Sequence, residues 1–348
     1  MKAILIEEFG GPDVLRMGRL PLPKPGPGEV RIKVEAVAVA RTKDVATRAE
    51  RPPFGPQLRG FPHVLGTEHA GVVDAAGTGA GAELVGRRVA VSAVLTCGEC
   101  RACRLGRDEA CATFGLIGVH RQGSYAQYVL VPARNLQVLP DDVGFVEAAA
   151  VAANGPVARA QLEAGGVREG SVVLVIGAAG SLGSTAASLA AFRGARVIGV
   201  DRLGSDPAKL DELPLTARID GDAPDLKERI RAAAGTWGID CVIDNIGVAA
   251  VWTAYRPLVA DLGRIIVSGA VDHDPLPVRL LPFYLRSQSL IGVRTGNRGE
   301  VAAMWDDVRA GYRPPASHVH ACDWEDVAEA HRRVEAGVAN GQAVLRVR

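Results

Sequence analysis

The chain has 348 residues, 48% hydrophobic and 23% charged, which is material for two domains with a sizeable core and excludes a disordered chain. Lys and Arg number 40 against 39 Asp and Glu. A near-neutral chain lacks the electrostatic footprint of a nucleic-acid or anionic-membrane binder. No apolar run reaches the ~18 residues a membrane helix needs. The start, Met1-Lys2-Ala3-Ile4-Leu5-Ile6-Glu7-Glu8, turns acidic too early for a secretory leader. These features predict a cytoplasmic protein that acts on a small molecule, not on nucleic acid or membrane.

Residues 1–150 carry strand signals at 3–6, 30–39, 71–74, 88–92 and 126–131, separated by Gly/Pro-rich turns such as Pro21-Leu22-Pro23-Lys24-Pro25-Gly26-Pro27-Gly28. Short strands with frequent turns predict a compact β domain. Four of the six Cys crowd together as Cys97-Gly98-Glu99-Cys100-Arg101-Ala102-Cys103 and then Cys111. Four thiolates at C-x2-C-x2-C-x7-C can close a tetrahedral zinc shell with no open position, so this zinc would be structural. Cys241 and Cys322 read as core thiols.

Near residue 145 the texture changes. Residues 146–161 are Ala-rich and helical. Val172-Val173-Leu174-Val175-Ile176 reads as a strand buried on both faces. A glycine turn, a helix over 185–193 and a strand over 196–200 complete a βαβ unit. Further strands at 241–244 and 264–267, with helical stretches between, predict an α/β fold with a doubly wound parallel sheet of the Rossmann type. A helix over 324–335 and a strand over 343–347 close the chain and return to the first domain.

The turn Gly177-Ala178-Ala179-Gly180-Ser181-Leu182-Gly183 joins a strand to a helix. A dinucleotide pyrophosphate needs backbone N–H donors and no Cβ in its way, which glycines at a helix N-terminus provide. Asp201 ends the next strand, where a carboxylate can accept from the adenosine ribose hydroxyls. It favours NAD(H). Arg202 follows and could instead pair with the 2′-phosphate of NADP(H).

The whole chain resembles the medium-chain dehydrogenase/reductase superfamily, the zinc alcohol dehydrogenase and quinone oxidoreductase group. The resemblance rests on Val64-Leu65-Gly66-Thr67-Glu68-His69-Ala70-Gly71-Val72-Val73, the four-Cys lobe, Gly123-Ser124-Tyr125-Ala126-Gln127-Tyr128-Val129, the glycine turn and the closing Gly341-Gln342-Ala343-Val344-Leu345. It implies a GroES-like β domain with the substrate site over 1–150 and 293–348, carrying the zinc lobe 97–111. It implies a Rossmann coenzyme domain over 151–292, with a cleft between them. Asn245, Gly247, Gly269 and Gly292 match coenzyme contacts in the family. Family habit also implies a homodimer or homotetramer, with the strand around 289–293 near the seam.

The departures carry the information. Zinc-dependent members hold a catalytic zinc with an early Cys, the His of a Gly-His-Glu motif, and a later Cys or acid. Here the windows read Val39-Ala40-Arg41-Thr42-Lys43-Asp44, Gly66-Thr67-Glu68 and 148–155, with none of those ligands. Asp44 and Glu68, matching the family's metal-proximal carboxylates, remain. Simple alcohol oxidation without zinc is disfavoured, because an alcohol is as weak an acid as free water and nothing here lowers its pKa. Hydride addition to a conjugated C=C bond or quinone asks only for a donor to the developing oxyanion and a proton.

Counting back from Asp44 puts Arg41 at the lost Cys position. It would stabilise the oxyanion, or else pair with Asp44 or Glu68. Thr42 or Lys43 would relay or donate the proton. Tyr125, His69 and His120 are further candidate donors, and a two-carboxylate zinc site using His69 is an alternative. Asn154 lies where relatives place a nicotinamide-contacting residue. Arg48, Arg51 and Arg59 either greet an anionic substrate or form a solvated loop. The leading expectation is an NAD(P)H-dependent reductase of activated double bonds with one structural zinc. The alternatives are a zinc-free carbonyl reductase or alcohol dehydrogenase, and a nucleotide-binding protein with a redox-neutral or non-catalytic role.

Overall fold

A computed structural model describes residues 1–204, 206–271, 275–337 and 340–348. The chain forms two compact units, one of Met1–Ala153, Asn297–Arg309 and Val319–Arg348, the other of Asn154–Gly296 and Ala310–His318. Segment 310–318, expected with the first domain, packs with the second. There Tyr312 is buried, lies edge-on to Phe192 and sits 2.9 Å from the Ser188 hydroxyl.

The first unit is built on an antiparallel path running Leu136–Val138, Arg88–Val91, His69–Ala76, Glu29–Ala38 and Gln342–Arg346. Tyr128–Pro132 adds alongside Glu29–Ala38, and Val319–Asp323 pairs parallel to Gln342–Arg346 at the far edge. The pairing of Glu29–Ala38 with His69–Ala76 shifts register between Arg31 and Ile32 and again between Val34 and Ala36. Such bulges bend a sheet, letting one long strand serve several neighbours. Ile32, Val34, Val73, Val89, Val91, Val129 and Leu345 fill the core with Trp324.

The second unit is a six-stranded parallel sheet in the order Ala217–Asp220, Arg196–Asp201, Val172–Ile176, Ile239–Asp244, Val259–Val267, Ser289–Gly292. This is the 3-2-1-4-5-6 order of the doubly wound dinucleotide fold, with the switch point at Val172–Ile176. All five residues of that strand are buried, as expected of a strand covered on both faces. No described helix is long and apolar enough to cross a membrane.

Candidate active site

The glycine turn stands at the switch point. Gly177 has φ +77°, and a Cβ on Gly183 would lie 1.9 Å from the Gly177 carbonyl oxygen. Only glycine at 183 lets the helix start this close to the strand. Helix Ser181–Phe192 opens at Gly180 with no side-chain cap. The first-turn amides of Ser181, Leu182 and Gly183 are therefore left for an anion, reinforced by the helix dipole. The helix begins four residues before the expected 185, because Ser181 to Ser184 already belong to its first turn. Asp201 accepts from the Ala179 amide at 2.8 Å and from the Arg202 amide, which fixes its carboxylate at the end of its strand. Burial raises its pKa. Arg202 is exposed. Asn245, Gly247 and Gly269 gather at the carboxyl ends of two neighbouring strands. Gly292 ends the edge strand, with open space at its Cβ position.

In the first unit two of the three vacated ligand windows, 39–44 and 66–68, come together. Arg41–Val45 forms one wide π turn, with the Val45 amide reaching back to the Ala40 carbonyl at 3.1 Å. The turn buries Asp44, which accepts from the Ala40 amide at 2.8 Å and the Gly66 amide at 3.1 Å. Burial, aided by the charge of Glu68, pushes the Asp44 pKa up to about 7 against those two donors. Thr67 stands between the carboxylates, its hydroxyl 2.6 Å from Glu68 Oε2 and 3.4 Å from Asp44 Oδ2. Lys43 Nζ closes the group with an ion pair to Glu68 Oε1.

Several expectations are corrected here. Arg41 pairs with neither Asp44 nor Glu68. It is exposed, its guanidinium within reach of Gly337 at the C-terminus of helix Val327–Ala336, where the negative end of the dipole favours a cation. The cation beside the surviving carboxylates is Lys43. Thr42 is exposed on the same turn. Tyr125 has no exposed surface; its hydroxyl lies 3.0 Å from His331 Nε2, and burial raises its pKa. It therefore cannot meet a substrate. His69 is buried with Nδ1 against the Thr67 carbonyl, and burial lowers its pKa to about 4. It is held neutral and gathers no second and third ligand: among the described residues, the one group of three or more metal-ligating side chains is the four cysteines. His120 Nδ1 accepts from the Leu116 amide and Nε2 meets Gln57, so its ring is occupied. Arg48 is no loop residue either. It is wholly buried, bonded to the Gly10 carbonyl and to Glu335, which also holds Arg51. Arg59 is exposed, and Asn154 is half-buried within helix Phe145–Ala164.

The cysteine lobe fits zinc. Cys100 to Cys103, Cys97 to Cys111 and Cys97 to Cys103 have sulfur separations of 3.5, 3.6 and 3.9 Å. Zn–S bonds of ~2.3 Å in a tetrahedron place sulfurs ~3.8 Å apart. Backbone N–H donors lower the Cys97 and Cys100 pKa values, whereas burial pushes the Cys103 thiol up to about 12; a bound zinc would supply the charge that holds this last sulfur as a thiolate.

Known proteins give the context. Residues 26–141 match the alcohol dehydrogenase GroES-like domain, and 181–310 match the zinc-binding dehydrogenase domain. L-galactonate-5-dehydrogenase of Escherichia coli K12 is 32% identical over 248 residues, 70% of either chain. An NAD-dependent alcohol dehydrogenase of Sulfolobus acidocaldarius is 28% identical over 295 residues, 82% of this chain and 83% of that one. A crystal structure of an NAD-dependent alcohol dehydrogenase matches with a TM-score of 0.90 and 32% identity over the full length of both chains.

The chain belongs to the medium-chain dehydrogenase/reductase family. It is an NAD(P)-dependent oxidoreductase of that family, with the GroES-like and Rossmann domains in place and the structural-zinc lobe kept. Sequence reading of this dehydrogenase missed the Lys43–Glu68 pair, the burial of Arg48, and Gln161, a lone amide in an Ala/Val-rich helix. Only the last left a signal in the sequence, a polar residue where the helix pattern calls for an apolar one.

Proposed function

We propose that this dehydrogenase reduces a conjugated C=C bond or a quinone with NAD(P)H and uses no catalytic zinc. The observation that carries this reading is the Lys43–Glu68 ion pair at the vacated ligand windows, bridged to Asp44 by Thr67. The carboxylates that neighbour a metal in zinc-dependent relatives have an ammonium as their counter-charge. An ammonium cannot polarise an alcohol as zinc does, yet it can hold an oxyanion and yield a proton.

The glycine turn and Asp201 would hold the coenzyme, which when bound would supply hydride for the β-carbon of the acceptor. The electron pair displaced from the C=C bond moves toward the carbonyl oxygen, where Lys43 Nζ donates a hydrogen bond to the growing charge. Lys43 then gives its proton to the reduced acceptor and is recharged from solvent, with Thr42 on the exposed side of the turn as the relay. Asn154, in the second unit, holds the nicotinamide carboxamide. Asp201 makes NAD(H) the preferred coenzyme, and the four cysteines hold one structural zinc per chain. The edge strand Ser289–Gly292 and the exposed Leu280, Leu281, Tyr284 and Leu285 support a homodimer. The lack of a membrane-crossing helix among the described residues supports a cytoplasmic location.

A zinc-free carbonyl reductase is the second reading, favoured by relatives named as alcohol dehydrogenases. The test is oxidation of NADH and NADPH, in parallel, against enones, enoyl thioesters, quinones and simple ketones. Turnover confined to conjugated acceptors supports the first reading. Turnover confined to ketones replaces it with the second.

A further inference from the structure

We infer that Gln161 is a positioning residue for the coenzyme and acts through the side-chain amide of Asn245. The inference rests on the NAD(P) dependence of the family, not on the acceptor proposed above. Gln161 has no exposed surface and lies in helix Phe145–Ala164 beside buried Ala158, Ala160 and Leu162. Burying an amide there is costly for each polar end left without a partner. One end is satisfied: Nε2 donates to Asn245 Oδ1 at 2.7 Å. The other, Oε1, has no partner. Such a residue is a poor choice for stability alone, since leucine would fill the same space without an unmet polar atom.

What it holds is a side chain already fixed at its root. The Asp244 carboxylate accepts from the Ile246 and Gly247 amides at 2.9 and 2.8 Å and from the Tyr255 hydroxyl at 2.8 Å. A Cβ on Gly269 would stand 2.1 Å from the Asn245 carbonyl oxygen. The Asn245 backbone is therefore pinned, and its remaining freedom is rotation of the amide. The bond from Gln161 removes that freedom.

The free end of the amide, Asn245 Nδ2, is buried and unpartnered, and so is the Ser268 hydroxyl on the next strand end. The glycine turn is adjacent, because a Cβ on Gly177 would touch the Ile246 side chain at 3.0 Å. Unpaired buried polar atoms are rare enough to need a reason. At the carboxyl ends of a doubly wound sheet, beside the switch point, the reason is a nucleotide ligand whose hydroxyl or amide groups complete them. Exchanging both amide ends preserves the Gln161–Asn245 bond and only changes which end of Asn245 is free.

The test is a double-mutant cycle read as the Kd of NADH by fluorescence titration, with no acceptor present. Gln161→Leu and Asn245→Ala should each weaken NADH roughly 5- to 10-fold, the loss of one net hydrogen bond of about 1 kcal/mol. The double variant should bind no more weakly than Asn245→Ala alone, because Gln161 has nothing left to position. Urea midpoints are measured on all four proteins, and Gln161→Met replaces the leucine variant should that fail to fold. The inference is overturned by losses that multiply in the double variant. It is also overturned by a Gln161 variant that shifts the urea midpoint and leaves the NADH Kd unchanged, which would make the residue merely structural.

Discussion

Substituting Lys43 by Met separates what the Lys43–Glu68 pair does for the fold from what it does for the reaction. The side chains are 17% and 5% exposed, so removing the ammonium strands a nearly buried carboxylate. Breaking a buried pair costs about 3–5 kcal/mol. The lower end applies here, because Thr67 still donates to Glu68 at 2.6 Å and Lys43 keeps some contact with water. We expect Lys43→Met to lose about 3 kcal/mol of unfolding free energy. Adding Glu68→Gln should restore most of it, since a buried pair replaced on both sides is close to neutral. Turnover should not follow stability. Loss of an oxyanion donor lowers kcat by about 10²–10³-fold, and the double variant should be as slow as the single one. Urea denaturation gives the first quantity and NADH oxidation with a conjugated acceptor the second. Wild-type turnover in the stabilised double variant would refute a chemical role for Lys43. A single variant with undiminished stability would refute the burial argument.

Cys111→Ser should lower bound zinc from one per chain toward none and destabilise the first unit, as read by elemental analysis and thermal unfolding; two zinc ions per wild-type chain would remove the basis of the zinc-free mechanism. Asp201→Ala should weaken NADH by about 10-fold or more, the loss of a charged hydrogen bond of ~1.5–3 kcal/mol, while weakening NADPH less; equal losses for the two coenzymes would detach Asp201 from the ribose. Asp44 has a folded pKa of about 7, above its ordinary value of 3.8, so between those values the folded state holds a proton that the unfolded chain has released. Stability is therefore full below pH 4 as far as this group is concerned and declines as pH rises toward 7, by at most about 1.4 kcal/mol per unit. Asp44→Asn should flatten the slope of urea stability between pH 5 and 7, and an unchanged slope would assign the titration elsewhere.

The strands were legible wherever burial on both faces, or alternation, left a clear period, as in 172–176 and 30–39. Boundaries drifted where turn residues enter a helix, as at Ser181. Segment 310–318 was not legible as part of the second unit, because the contact that places it, Tyr312 against Phe192 and Ser188, joins residues more than a hundred positions apart. The cysteine lobe and the glycine turn could be read because each works through closely spaced residues whose types are dictated by a ligand. Gln161 and Arg48 owe their places to partners 84 and 287 positions away; a polar residue in an apolar helix pattern singles out Gln161 but not its partner, and nothing local discloses Arg48.

The choice between Arg41 and Lys43 shows why spacing alone misleads at such a site. Counting from Asp44 placed Arg41 at the lost ligand position, and its fixed charge made it the natural substitute for a metal. The count identifies a position along the chain; it does not say where the side chain points. The wide turn spreads five residues where an α turn would use fewer, and Asp44 is fixed inside it by two backbone amides. Lys43, next to it, reaches Glu68, while Arg41 at the start of the turn finds a favourable end of a helix dipole outside. Charge balance supports the same assignment. Glu68 is buried and must have a counter-charge. A guanidinium on the exposed side would leave it without one. With Lys43 as the partner, the ammonium keeps N–H donors beyond the one spent on Glu68, and those are what an oxyanion would meet. A zinc ion in that position would draw an alcohol toward its alkoxide, whereas an ammonium favours only charge that develops during hydride addition, and the proposed conjugate reduction rests on that difference.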